Sequence, residues 1–377
     1  MDFSFSEEQQ MLQESVQKFI QKSYDFETRK GIVDSASGYS EDNWKLFAEL
    51  GWLTVPFSEA DGGFGGAAVD LMVMMEEFGK GMLVEPFVAT AVFSGGLIAA
   101  LGSDEQKAEL LPALMSGDLQ LACAYAETGS RFNLANVATT ATSDGTTVKI
   151  NGSKIAVLNG SNANKLLVVA RSEGDKISEK GVSVYLVDAK AKGIKLHAYS
   201  HIDGQKSAEI AFSDVEIPAS DCLGTPGEAY AALQTVVDKV TLAVSAEAVG
   251  VMEMLLQKTV EYSKTRKQFG TAIGTFQALQ HRMTDMFIEC QLARSIVIMA
   301  AMKLDSNITA TEKAKAVSAA KSKVGAATIK VGQEAVQLHG GIAMTEELDV
   351  GHMFKRTTAI ELSFGNTDYH TARFASL

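Results

Sequence analysis

The hydrophobic positions of this chain change their period twice. Over residues 1–120 they recur at steps of three and four, which predicts helices. Ser6 and Gln9 form an S-x-x-Q capping box ahead of Met11, Leu12, Val16, Phe19 and Ile20. Further amphipathic runs lie at Val69–Gly79 and Asp104–Met115. Before the second run, Pro56–Gly66 reads PFSEADGGFGG. It lacks the G-x-x-x-x-G-K-[ST] spacing of a phosphate cradle, so a flexible connector is expected.

Near Gln120 the period shortens to two. Alternating runs at Thr147–Ile150, Lys165–Arg171, Val182–Ala189, Ile194–His201 and Ser207–Ile217 predict strands. Asn151–Gly152, Asn159–Gly160 and Asp203–Gly204 read as turn pairs. A compact β domain is expected over about 121–225. After Pro226 the steps of three and four return, with Leu233, Val236, Val237, Val240, Val244, Ala248, Val251 and Leu255 on one stripe. Such a stripe is core packing first and a cofactor box second. Three further helices should end near 305, 339 and 363. Proline is absent from 227 to 377, which suits long helices in a bundle. The chain therefore reads as α+β, with domains 1–120 (helical), 121–225 (β-barrel or sandwich) and 226–377 (four-helix bundle).

Composition narrows the partners. With 34 Lys+Arg against 46 Asp+Glu, the formal net charge is -12, which disfavours nucleic acid and anionic membrane as main partners. Cys123, Cys222 and Cys290 are widely spaced and odd in number, so neither a disulfide framework nor a metal site is expected. The acidic start, MDFSFSEEQQMLQ, does not read as a signal peptide, and no apolar run is expected to span a bilayer. A cytoplasmic protein is expected.

The richest chemistry lies in Tyr262–Met283, YSKTRKQFGTAIGTFQALQHRM. Arg266 and Phe269 are followed by Gly270, Ile273, Phe276 and Gln277, a spacing that puts one charge, one ring and one amide close together where an apolar helix ends. That mix suits a nucleotide diphosphate: guanidinium on pyrophosphate, ring on adenine, amide on an edge. The segment resembles the R-x-x-F-G…F-Q block of acyl-CoA dehydrogenases. QLHGGIAM at Gln337–Met344 and RTTAIELSFGNTD at Arg356–Asp368 resemble two further blocks of that family, and the likeness covers essentially the whole chain.

The resemblance implies an FAD enzyme that removes hydrogens from Cα and Cβ of an acyl-CoA thioester and passes electrons to electron-transfer flavoprotein. It implies that Arg266, Gln268, Phe269, Ile273, Phe276, Gln277, Gln337, Gly340, Gly341 and Thr367 hold the cofactor. In the family these blocks usually serve the FAD of a neighbouring subunit, which implies an oligomer. Taken alone, Arg266 also reads as a solvated helix-end cation and His339 as a packed core histidine.

Other positions depart from the family pattern. The T-E-P-x-x-G-S-D segment reads Ala126, Glu127, Thr128, Gly129, Ser130, Arg131, Phe132, Asn133. The W-I-T-N-G strand reads Ala156, Val157, Leu158, Asn159, Gly160, which loses the Trp that walls the flavin and the Thr beside its N5. The customary base position holds Gly365, and a second one, used by some relatives, holds Val240. Glu247, on the face of Val240, Val244 and Val251, is either a relocated base or an ion-pair partner of Arg266, Arg282 or Arg294. Glu361 and Asp368 are weaker candidates. YDFETRK, FSEADGGFGG, LANVATTA and VGHMFKR look most like small subunits of pimeloyl-CoA-dehydrogenase-type heteromers, some acting on dicarboxylyl- or steroid-derived thioesters. Three readings follow. One is a subunit, as in an α2β2 assembly, that lends its ADP-binding residues to a partner's active site. Another is a self-sufficient homotetramer with a relocated base. The third is a non-catalytic acyl-CoA-binding scaffold.

Overall fold

The computed structural model describes residues 5–377. Its helices are α1 (Glu7–Ser23), α2 (Phe26–Asp34), α3 (Glu41–Glu49), α4 (Ala68–Gly81), α5 (Gly96–Leu101), α6 (Asp104–Met115), α7 (Tyr230–Thr265), α8 (Gln277–Asp305), α9 (Ala310–His339), α10 (Asp349–Leu362) and α11 (Thr367–Ser376). The strands are β1 (Leu121–Ala124), β2 (Thr140–Ser143), β3 (Thr147–Leu158), β4 (Lys165–Arg171), β5 (Val182–Asp188), β6 (Ile194–Ser200), β7 (Lys206–Pro218), β8 (Cys222–Leu223), β9 (Lys267–Gln268) and β10 (Thr271–Ala272). The capping box at Ser6 and Gln9 forms in both directions. The expected order of helices, sheet and long helices is present.

Two compact units divide the chain. One takes the residues up to Gly31 with Ala68–Leu83 and Thr241–Leu377; the other takes Ile32–Ala67 and Val84–Val240. In the first unit, α9 packs against α8, α10 and α11. Its buried face is rich in alanine, glycine and serine, which lets its neighbours come close. A Cβ on Gly325 would lie 2.0 Å from Glu361 Oε2, and one on Gly332 would lie 2.9 Å from the Phe354 ring. The helix α7 is long and apolar enough to cross a membrane by length and composition, contrary to expectation. Yet 78% of its apolar stretch is buried, as in a core helix.

In the second unit, eight strands share one sheet in the order β6-β7-β3-β2-β4-β5-β8, with β1 joining at β4. β1 runs parallel to β4 from Leu121–Lys165 to Ala124–Val168, and β2 meets β4 only at Thr140–Arg171. Val148, Ile150, Val157, Val168, Ile210 and Phe212 lie in its apolar core. Asn151–Gly152 does not make a turn. β3 continues through it, opposite a bulge in β7 at Ser213 and Asp214 (φ 48°), and the Asp214 side chain accepts from Asn151 Nδ2 at 3.0 Å. The glycine-rich stretch Pro56–Gly66 is not a loose connector either. It folds back on itself through Gly63 N–H to Ser58 O and Gly65 N–H to Phe57 O. Lys239 Nζ clamps both ends, donating to Pro56 O at 2.8 Å and Gly66 O at 3.0 Å.

Candidate functional site

The first cluster lies where α7 and α9 end. β9 and β10 form a hairpin whose two loop residues, Phe269 (φ 55°) and Gly270 (φ 81°), both have positive φ. This is the twist that two-residue hairpins favour, and glycine takes it freely whereas phenylalanine rarely does. The strain holds Phe269 in solvent, 93% exposed, with its ring edge-on to Phe276 at 6.1 Å. Ile273 closes the hairpin by donating its N–H to Arg266 O at 2.9 Å, and Gln277 opens α8. Arg266, Gln268, Phe269, Phe276 and Gln277 are all exposed.

At the end of α9, Gly340 adopts φ 71°, ψ -154°, a region essentially reserved for glycine. A Cβ on Gly340 or Gly341 would meet nothing within 4 Å, so both backbones are open to a ligand. His339 is buried. Its ring stacks on Tyr262 at 4.4 Å, its Nδ1 lies 2.9 Å from Ala335 O, and burial pushes its pKa down. This is the packed histidine expected as one reading. The Tyr262–His339 stack joins the ends of α7 and α9, and so brings the Arg266 and Gln337 segments together. Tyr262 carries no recognisable signal of that role in the sequence.

Thr367 is elsewhere. Its Oγ1 is buried without a hydrogen-bond partner, and its N–H donates to Glu361 Oε1 at 2.9 Å. It faces Gly325, more than three turns along α9 from Gln337, about 18 Å at the helical rise. Within one chain, Thr367 does not join the Arg266–Gln337 cluster.

The base positions follow. Val240 is fully buried and apolar. Gly365 has φ 108°, and a Cβ there would lie 2.4 Å from His370 Nε2. Lys321 fixes this turn from below. Fully buried, it donates to Ile360 O at 2.9 Å, Glu361 O at 3.0 Å and Gly365 O at 2.7 Å, and burial pushes its pKa down to about 8. Glu247 is held by a buried two-pronged pair. Arg356 Nε lies 2.6 Å from its Oε1, and Arg356 Nη2 lies 2.7 Å from its Oε2. The arginine is none of the three expected. Arg294 pairs with Glu76 at 3.2 Å, Arg282 pairs with Glu334, and Arg266 faces solvent. Glu361 Oε1 accepts from Thr367 N–H, its Oε2 is buried without a hydrogen bond 3.9 Å from Lys321 Nζ, and Asp368 is exposed.

In the second unit, Glu127 is a structural anchor. Its carboxylate accepts from Ala138 N–H at 2.7 Å and Thr139 N–H at 3.0 Å, and lies 2.6 Å from Lys154 Nζ. Burial pushes its pKa up, but the Lys154 charge and these donors outweigh burial and hold it low. Ile155 N–H donates to Ala126 O at 2.9 Å, so this loop is tied along β3. Lys154 was missed in the sequence, because β3 (TVKINGSKIAVL) carries two lysines among other polar residues and only the fold shows that Lys154 is the buried one.

Three family models match: the acyl-CoA dehydrogenase N-terminal domain over 6–118, the middle domain over 122–215 and the C-terminal domain over 230–376. A probable acyl-CoA dehydrogenase of Bacillus subtilis is 29% identical over 98% of this chain and 97% of its own length. The FAD complex of PigA is 27% identical with TM-score 0.92, covering 100% of this chain and 98% of that one. The Tcur3481-Tcur3483 steroid ACAD is 28% identical with TM-score 0.87, covering 98% and 97%. The open glycines Gly340 and Gly341 and the outward Phe269 fit FAD as the cofactor.

Proposed function

Because the chain belongs to the acyl-CoA dehydrogenase family, we propose that it is a subunit of an oligomeric FAD-dependent acyl-CoA dehydrogenase whose catalytic base comes from another chain. The observation that carries this reading is the Gly365 turn, which holds no carboxylate and has no space for one. Val240 is apolar and Glu247 is committed to Arg356, so neither supplies the missing group.

In this reading Arg266 pairs with the FAD pyrophosphate, Phe269 and Phe276 pack on adenine, and Gln268, Gln277 and Gln337 fix its polar edges. Ile273 braces the hairpin, and Gly340 and Gly341 admit the phosphates. Thr367 offers its hydroxyl at a separate place. FAD supplies the hydride acceptor for the thioester's Cβ. Helix α8 supports an oligomer. Its buried face carries Met286, Cys290, Ala293 and Val297, while Ile288, Leu292, Ser295, Met299 and Met302 form an exposed stripe at heptad spacing. The stripe would meet a second family subunit, as in an α2β2 assembly, or a copy of this chain. The steroid ACAD among its structural neighbours makes steroid-derived thioesters the first substrate class to try, with dicarboxylyl thioesters next. Electron-transfer flavoprotein is the acceptor we propose, and the cytoplasm the compartment.

The test is anaerobic bleaching of bound flavin by a panel of acyl-CoA thioesters. The chain alone should not bleach. A co-purified complex with a base-bearing family subunit should, and Arg266→Ala within that complex should reduce the bound FAD. Bleaching by the chain alone at an ordinary turnover rate would overturn the reading in favour of a self-sufficient enzyme. Thioester binding without FAD in any assembly would favour a scaffold.

A further inference from the structure

The outer face of the middle sheet carries an aromatic pair that the cofactor contacts above do not use. Leu158 on β3 sits opposite Ser207 on β7, and Ser207 sits opposite Tyr199 on β6. Directly opposite residues share a sheet face, so these three side chains form one row. His201 lies two residues beyond Tyr199, and their rings stack at 5.4 Å with 26° between planes. The backbone N–H of Ala156 faces the Tyr199 phenol and opposes the rise in its pKa that burial causes. Ala156 is the extra residue of a bulge, at φ 51°, where β3 and β7 slip between Lys154–Ile210 and Val157–Ala208. The tyrosine ring thus reaches from its root on β6, across β7, toward a strand two places away.

The Tyr199 phenol faces Ala156, in the row that holds Leu158. These are the two positions where the family's contacts to the flavin ring are missing from this sequence. A cleft of about 350 Å³ opens on the same face, lined by Ser153, Ile155, Lys195, His197 and Glu209. We propose that Tyr199, backed by His201, is the aromatic wall against which the isoalloxazine ring of FAD packs in this chain. The ring site is then remodelled rather than lost, which departs from the expectation drawn from Ala156 and Leu158 alone. The proposal rests on FAD as the cofactor and is independent of where the base comes from. A ring already stacked on His201 packs on a flat ligand with less ordering left to lose. An adjacent phenol also quenches flavin emission.

The experiment strips FAD from the full-length chain, in the assembly in which it purifies, and titrates it back while following flavin fluorescence. Tyr199→Leu should raise the FAD Kd about tenfold, the scale of one lost stacking contact, and raise the emission of bound flavin severalfold. Tyr199→Phe keeps the stacking ring but loses the quenching phenol, so its FAD Kd should stay near wild type while its emission rises. His201→Ala leaves Tyr199 unstacked, and should raise emission about twofold. Arg266→Ala should weaken FAD with no change in the emission of what binds. If Tyr199→Leu matches wild type in Kd and emission while Arg266→Ala weakens binding, the wall is refuted and the cofactor reading stands. Tighter binding by Tyr199→Leu means that the ring blocks the site, and refutes the wall equally. A chain that binds no FAD in any assembly overturns both.

Discussion

His370 occupies the space that a side chain at Gly365 would need. A Cβ on Gly365 would lie 2.4 Å from His370 Nε2 and 2.5 Å from Tyr369 Cδ1, and φ at Gly365 is 108°. The missing carboxylate is therefore built into the packing of α11, not only into one codon. Restoring the family residue with Gly365→Glu should not create a base. It should cost about 3 kcal/mol or more, from a strained backbone and an overpacked turn. Urea unfolding and flavin bleaching by acyl-CoA check this together. A stable Gly365→Glu protein that bleaches unaided would show that the turn can open.

His370 also makes the fold acid-sensitive. It is 1% exposed, its Nε2 lies 3.0 Å from Phe364 O and its Nδ1 lies 3.4 Å from Ser318 Oγ. Burial pushes its pKa down to about 4, with Lys321 and Arg373 adding to the shift and the Phe364 carbonyl opposing it. The unfolded chain binds this proton near pH 6.5 and the folded chain does not until about pH 4. Stability from this group is full above pH 6.5 and falls as pH drops from 6.5 toward 4, by about 2 kcal/mol at pH 5. His370→Gln should be less stable at pH 7 yet lose less between pH 7 and 5, read as a smaller drop in urea midpoint.

Glu247 separates two roles by where the damage appears. A relocated base, when changed to Gln, would lose turnover and keep its fold. A buried pair loses its fold, because Arg356 stays behind with its counter-charge gone. We expect Glu247→Gln to lower stability by about 3 kcal/mol, measured by urea unfolding. FAD bleaching in any reconstituted complex should fall only in proportion to the protein that unfolds. Unchanged stability with turnover abolished would make Glu247 the base after all.

Much of this was legible in the sequence, for physical reasons that differ by feature. The long helices announced themselves through unbroken apolar periodicity without proline, and their ends near 305, 339 and 363 fall at Asp305, His339 and Leu362. The strands with strict alternation appeared too. β1 and β2 did not, because four residues cannot establish a period, and Gly152 looked like a turn because a bulge uses the same glycine freedom. The hairpin block was readable since its spacing is local. The pairs Lys154–Glu127 and Arg356–Glu247 were not, because only the fold brings such distant positions together. Tyr199 was hidden in the same way: its significance depends on Ala156, two strands away, being the bulged residue it faces.

The segment Glu76–Gly79 and the segment Glu247–Gly250 share the pattern E-x-x-G and meet where α4 crosses α7. The fit is reciprocal. A Cβ on Gly79 would lie 2.0 Å from Glu247 O, and one on Gly250 would lie 1.9 Å from Glu76 O. Each glycine thus seats the backbone of the other helix at the start of the other motif. Both glutamates are buried and answered by arginines, Glu76 by Arg294 and Glu247 by Arg356. Neither backbone can retreat without moving a buried charge from its partner, so a methyl group at this crossing has no soft neighbour to displace. We expect Gly79→Ala and Gly250→Ala each to destabilise by about 3 kcal/mol or more, despite the gain in helix propensity of about 1 kcal/mol that alanine brings. The double variant should cost less than the sum, because the first methyl already separates the helices at the second contact. Urea unfolding of the two single variants and the double variant measures this coupling directly. Additive losses would show that the two contacts yield independently and that the crossing is not one rigid joint.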